Sequence, residues 1–223
     1  MLAHRDGWWG EYGKLGNYSD KNDGGIGVHN TIGLMRNLWP YVGINRYNDA
    51  DMICVGIRGT GTASSDYVYN QPNGLTSDEA ETSFAMWCMW SSPILLGFDM
   101  TRDMTSTELA HDLALVKNQE LIAINQDPMG QGAEFIKNEN GIDYYQKDLA
   151  NGDVAIAAIN ISDKNATYNI SIADFDALDK TAAYSAKDLI NHLTASTQTL
   201  TASTPLTGQV VKHGTFIVRL KKQ

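Results

Sequence analysis

The sequence of 223 residues contains only two cysteines, Cys54 and Cys88, and both lie in apolar stretches. So few cysteines exclude a disulfide framework, and their separation does not fit a metal site, although one disulfide between them stays open. No apolar run approaches the roughly 18 residues that a membrane-spanning helix needs. The first residues, 1–6, also lack the apolar core of a signal peptide. We therefore expect no membrane association, and a cytoplasmic location if Met1 is the true start.

Basic residues are also scarce, with 17 Lys and Arg against 26 Asp and Glu and a net charge of -9. Nucleic-acid binding is excluded, because phosphate contacts need clustered basic side chains. Residues 1–130 carry 8 basic and 16 acidic groups, whereas residues 131–223 carry 9 and 10. This uneven charge indicates two modules. The five histidines are scattered without metal-ligand spacing, so we predict no metal and no cofactor.

Residues 26–125 alternate between helical periodicity and short apolar runs. The pattern predicts a helix from Ile26 to Trp39 that Pro40 ends, a helix that starts with Ser77 as N-cap, and a helix over about 105–118 that the segment 121–128 terminates. The run 92–99 predicts a fully buried strand that finishes in an acid. Helices alternating with buried strands are typical of parallel β/α units, which keep their chemistry at the strand ends.

The pattern changes after Gly130. The segments 143–148 and 154–160 flank the turn 151–153, which predicts a hairpin, and residues 168–172 alternate between apolar and polar. A last strand is predicted over 214–220. Several short strands without helical periodicity predict an antiparallel β-sandwich. We therefore divide the chain into a domain over residues 1–130 and a β-sandwich domain over residues 131–223.

One stretch, 47–56, carries two acids directly before an apolar run. Asp49 and Asp51 are two residues apart, so on an extended strand both carboxylates would point to the same side. Acids that lead into a buried run must be hydrogen-bonded, paired or functional. An N-cap and loop pair is the alternative, and the local sequence leaves both open.

Four segments resemble the retaining α-galactosidases of glycoside hydrolase family 27. The segment 47–52, Tyr-Asn-Asp-Ala-Asp-Met, is similar to the Trp-Asn-Asp-Pro-Asp-Met of the family's seventh barrel strand. The others are 84–99, which resembles the helix and strand that close the barrel, 121–130, which resembles the exit from the barrel, and the hairpin around 151–153. The resemblance implies the C-terminal part of a (β/α)8 TIM barrel followed by an antiparallel β-sandwich.

The resemblance also implies roles for individual residues. Asp20 stands where the family has its general acid/base. Asp51 and Met52 would line the sugar pocket, with Asp51 accepting hydrogen bonds from sugar hydroxyls, and Asp49 would fix this strand end. The family's Trp-Arg pair before the acid/base is Leu15-Gly16 here. The family's nucleophilic Asp has no counterpart in residues 1–223.

The function that the resemblance implies is hydrolysis of terminal α-galactosides with retention. Such enzymes use two carboxyl groups about 5–5.5 Å apart, one as nucleophile and one as acid/base. This chain would supply the acid/base half. Because half a parallel barrel exposes strand edges, we expect that a second copy of the chain or an N-terminal fragment completes the barrel, or else that the chain is a truncated product that folds poorly around its sandwich. The alternative is a catalytically incomplete carbohydrate-binding or interaction remnant.

Overall fold

In a computed structural model, the described part of the chain comprises residues 27–53, 55–56, 75–97, 105, 107–190 and 198–223. Helices occupy its first half: α1 (Val28–Met35), α2 (Ser77–Met89), α3 (Thr107–Val116) and α4 (Gln119–Asn125). None of the described helices is long and apolar enough to cross a membrane. Asp20, Leu15 and Gly16 lie outside the described residues, as does Cys54, so the statements about these positions stay predictions.

The helix boundaries correct the predictions in three places. α1 ends at Met35, and Pro40 sits inside a separate 3-10 turn, Trp39–Tyr41, instead of ending the helix. The N-cap of α2 is Thr76 and not Ser77, because Thr76 Oγ1 accepts from the Glu79 backbone N–H while the Glu79 carboxylate accepts from that of Thr76. This reciprocal capping box satisfies two otherwise unpaired donors.

The third correction concerns the segment after α3. Residues 121–128 were predicted to break the helical structure, but most of the segment belongs to α4. Asn118 starts this new helix, because its Oδ1 accepts from the backbone N–H groups of Glu120 and Leu121 at 3.0 and 3.2 Å. A side chain that accepts from the first turn of a helix replaces hydrogen bonds that the backbone cannot make there.

Two short segments of the first half meet as a parallel bridge. The Ile53 N–H donates to the Leu95 carbonyl at 2.9 Å, and the Gly97 N–H donates to the Ile53 carbonyl at 3.1 Å. The prediction of a fully buried strand over 92–99 is wrong for its described residues, because Leu95 is 56% exposed and Leu96 is 37% exposed.

The second half forms the predicted antiparallel sheets. Its strands are β1 (Glu134–Glu139), β2 (Ile142–Asp148), β3 (Val154–Asn160), β4 (Ala166–Ile170), β5 (Tyr184–Asp188), β6 (Gln198–Leu200), β7 (Leu206–Val210) and β8 (Thr215–Lys222). Six strands pair in the order β1-β2-β3-β8-β5-β6, and β4 pairs with β7. The hairpin predicted around 151–153 joins β2 to β3, and Gly152 has the positive φ of 84° that its turn requires.

The six-stranded sheet is covered on both faces. Its side chains Tyr145, Ala157 and Ile217 belong to the core cluster that also contains most of α2. The alternate residues Tyr144 and Phe216 belong to a second cluster with β4 and β7. Side chains that alternate along the strands thus enter two different cores, which explains why β3 is buried along its whole length. The division at residue 130 stays a prediction, because the first cluster draws on both sides of it.

Candidate active-site segment

The extended strand that was predicted around Asp49 and Asp51 is interrupted, because Asp49 takes part in a β-bridge but Asp51 does not. Asp51 has a φ of 74°, in the left-handed region, so the strand geometry that would point both carboxylates to the same side does not apply here. The backbone N–H of Asp51 donates to Asp49 Oδ1 at 2.8 Å. This side-chain to backbone hydrogen bond closes a local Asx-type turn. The loop alternative therefore describes the backbone at Asp51, whereas the roles of both acids in a sugar pocket stay predictions.

Asp51 and Met52 are partly buried and are held by their neighbours. The Met52 N–H donates to Asp51 Oδ1 at 2.7 Å. On the backbone side, Trp87 Nε1–H of α2 donates to the Asp51 carbonyl at 2.7 Å. Because the left-handed conformation is unfavourable for a non-glycine residue, these contacts compensate for the strain at Asp51. The turn is thus fixed by helix α2.

Asn48 connects this turn to two neighbouring segments. Its side chain is 1% exposed, and its Nδ2 donates to the Leu38 carbonyl at 2.8 Å. Ser92 Oγ donates to the Asn48 carbonyl at 2.8 Å. Neither Asn48 nor Trp87 was predicted to hold this turn in place, although Asn48 belongs to the motif that carries the resemblance. A buried polar side chain within a motif is the signal that could have identified it.

Gly97 allows the two segments of the parallel bridge to approach each other closely. A Cβ added to Gly97 would lie 2.8 Å from the Ile53 carbonyl oxygen and 3.5 Å from Met52 Cβ. The first distance is shorter than carbon–oxygen packing permits, so glycine is required here for steric reasons. Met52 therefore lies directly beside the second segment.

A charged cluster supports the end of the same stretch. The Gly56 N–H donates to Asp112 Oδ2 at 3.1 Å, and Asp112 is fully buried. His111 lies between Glu81 and Asp112, with nitrogen–oxygen distances of 2.9 and 3.2 Å. Burial lowers the pKa of His111, but the hydrogen bonds to these two carboxylates raise it more, so the net pKa lies above its ordinary value. This position of His111 between two carboxylates was not predicted from the sequence.

The described residues show no candidate metal centre. No group of three or more His, Cys, Asp or Glu side chains within the described ranges could hold a metal ion. Cys88 is a free, buried thiol whose pKa is raised by burial. A thiol of this kind is unreactive, because the thiolate is the nucleophilic form.

Comparison with known proteins identifies the fold. Residues 139–220 match the family model for the α-galactosidase C-terminal β-sandwich domain. α-Galactosidase A of Aspergillus niger is 26% identical over 216 residues, which cover 96% of this chain and 36% of the relative. The α-galactosidase of Cyamopsis tetragonoloba is 31% identical over 156 residues, covering 70% and 33%.

A solved structure agrees with these relatives. A Bacteroides fragilis protein assigned as an α-galactosidase is 28% identical, with a TM-score of 0.73 over 96% of this chain and 42% of that one. The sheets and the relatives together define a part of a glycoside hydrolase. The chain belongs to glycoside hydrolase family 27, the α-galactosidases, and corresponds to their C-terminal part. It spans 36% and 33% of the two curated relatives described above.

Proposed function

We propose that the chain supplies the acid/base half of the active site in a retaining α-galactosidase. The observation that supports this proposal most is the similarity of 96% of the chain to an α-galactosidase. The turn formed by Asp49, Asp51 and Met52 falls within that similarity and is held by Trp87. The barrel to which this turn would belong, and the division of the chain at residue 130, are part of the proposal.

In the proposed mechanism, Asp20 donates a proton to the leaving oxygen of the galactoside. A nucleophilic carboxylate supplied from outside residues 1–223 attacks the anomeric carbon and forms a glycosyl-enzyme intermediate. Asp20 then accepts a proton from the water that hydrolyses this intermediate. Proton transfer of this kind contributes about 10²–10⁴-fold to the rate.

Asp51 and Met52 would hold the galactose ring during these steps. A carboxylate accepts hydrogen bonds from sugar hydroxyls, and the Met52 side chain offers an apolar surface to the ring carbons. Asp49 would act on the backbone, because its carboxylate accepts from the Asp51 N–H and so keeps Asp51 in its unusual conformation. We therefore assign Asp51 and Met52 to binding and Asp49 to positioning.

The exposed leucines support a requirement for a second half. Leu96 is the bridge partner of Ile53 and Leu95 precedes it, and the two leucines are 37% and 56% exposed. Exposed apolar side chains at a strand edge are normally covered by another strand. We propose that the preceding β/α units of a family 27 barrel cover them, in the same polypeptide or in a separate one. Association with a second copy of this chain is the competing arrangement.

The test combines the chain with the missing half. The chain is co-produced with the part of a family 27 α-galactosidase that precedes the aligned region, and hydrolysis of aryl α-galactosides is measured. Asp20→Asn should reduce kcat/KM by about 10²–10⁴-fold for substrates with poor leaving groups, and by less for activated ones. Asp176→Asn, which changes an exposed acid on the sandwich, should leave the rate unchanged.

Two outcomes would contradict the proposal. Full activity of the Asp20→Asn enzyme would remove Asp20 from the acid/base role. Turnover by the chain alone, abolished by Asp20→Ala, would show that no second half is needed. No turnover in any combination, together with retained sugar binding, would instead favour a carbohydrate-binding remnant.

A further inference from the structure

A cleft with a volume of about 310 Å³ lies between the turn Trp39–Tyr41 and the first two strands of the large sheet. This volume is at the lower end of the range for small-molecule sites. Its wall combines an aromatic ring and an aliphatic side chain with amides and carboxylates. The residues that matter here are Trp39, Val42, Gln131, Glu134, Gln146 and Asp148.

Three contacts give the cleft a fixed shape. A Cβ added to Gly132 would lie 2.9 Å from Val42 Cγ2, so the chain leading into β1 packs tightly against the turn. Glu134 and Gln146 are paired across β1 and β2, and Gln146 Nε2 donates to Glu134 Oε2 at 3.3 Å. Gln146 Oε1 also accepts from the Ala177 N–H at 3.4 Å. The amide of Gln146 is therefore oriented by the protein before any ligand binds.

The charge of the cleft selects the ligand. Lys147 also lines it, but its ammonium is directed away, donating to Ser91 Oγ and the Ile124 carbonyl at 2.7 Å each. The Lys147 ammonium therefore does not neutralise the carboxylates of Glu134 and Asp148 in the cleft. An anionic ligand is disfavoured by this arrangement, and a small metal ion would make no use of Trp39.

We propose that this cleft is an accessory binding site for a short neutral saccharide. A sugar ring presents one face of C–H groups, which suits the indole of Trp39 and the side chain of Val42, and a rim of hydroxyls. The hydroxyls meet donors and acceptors on Gln131, Gln146 and Asp148. The site is separate from the segment of Asp49 and Asp51, so binding here requires no catalytic group.

The test measures sugar binding by the chain in the absence of turnover. The probes are methyl α-D-galactopyranoside and melibiose, titrated into 15N-labelled Asp51→Asn protein while tryptophan indole resonances are followed by NMR. The Trp39 resonance should shift with the sugar. Trp39→Ala should weaken binding roughly tenfold, which corresponds to about 1.4 kcal/mol. Tyr41→Ala is the matched control, because Tyr41 is 57% exposed in the same turn and does not line the cleft.

A second variant keeps the test decisive if Trp39→Ala does not fold. Asp148 is exposed, so Asp148→Ala should fold normally and should also weaken binding. Absence of a Trp39 shift with either sugar, equal loss in Tyr41→Ala, or a shift caused by Ca²⁺ in place of sugar would each overturn the proposal. Binding that is present in the wild-type chain but absent in Asp51→Asn would assign the signal to the catalytic segment, which overturns this site and leaves the proposed function intact.

Discussion

Raising the pH from 7 to 9.5 should stabilise the folded chain through Lys147. This lysine lies in β2 and is 2% exposed, and its ammonium donates to Ser91 Oγ and to the Ile124 carbonyl. The latter carbonyl belongs to the last turn of α4, where a positive charge is favourable. Burial is nevertheless the largest effect and lowers the pKa of Lys147 to about 8.

The sign and size of the effect follow from this pKa. In the unfolded chain a lysine has a pKa of about 10.4, so between pH 8 and 10.4 the unfolded state binds more protons than the folded state. Stability therefore rises with pH across this window, as the cost of burying a charge disappears. With a folded-state pKa of about 8, the rise between pH 7 and 9.5 is about 2 kcal/mol.

Urea unfolding at several pH values between 7 and 9.5 measures this rise. The informative quantity is the difference from Lys147→Met, which has no ammonium and should lack this component of the slope. Lys187→Met is the control, because Lys187 is a solvent-exposed lysine with a side chain 51% exposed, and it should keep the wild-type slope. Equal slopes in wild type and Lys147→Met would refute the reasoning, since the buried ammonium would then carry no penalty.

Two further predictions concern the cores. Phe216→Ala should lower the free energy of unfolding by about 3–5 kcal/mol, because the Phe216 ring is buried and stacks on Tyr168 with a centroid distance of 4.3 Å. Thermal unfolding measures this loss. A loss below about 1 kcal/mol would mean that the second core is not packed as described. Arg36→Met should cost about 3 kcal/mol, because it leaves the fully buried carboxylate of Asp143 without its cationic partner. In a double-mutant cycle, Asp143→Asn should remove most of that cost, and strict additivity of the two changes would contradict the pairing.

The β-sandwich could be predicted from the sequence because its signals are local. Alternation along the strands and the turn at Asn151 depend on neighbours two or three residues away, and the hairpin between β2 and β3 follows from them. The start of α4 is also marked by a local signal, the Asn118 N-cap two residues before Glu120, but this signal was not used in the prediction. An error of this kind can be corrected from the sequence alone, because an N-cap side chain and its helix are neighbours in the chain.

The turn at Asp51 and the burial of Lys147 could not be predicted in this way. Nothing in the local sequence requires a left-handed Asp51, because the conformation is held by Trp87 from a helix that lies far along the chain. The burial of Lys147 likewise depends on the ends of α2 and α4 meeting above β2, with acceptors at Cys88 and Ile124. Such tertiary arrangements override what residue type and periodicity indicate.

Both faces of the six-stranded sheet are covered by other parts of the chain, and this limits where the polypeptide can be cut without exposing a core. A shortened polypeptide that began at residue 131 would leave Tyr145, Ala157 and Ile217 facing water, since their partners lie on the helices. Unfolding of the helices would likewise expose one face of β3 and β8 to water. The helices and the sheet should therefore unfold in a single cooperative transition. Cutting the polypeptide after residue 130 should produce a fragment that aggregates.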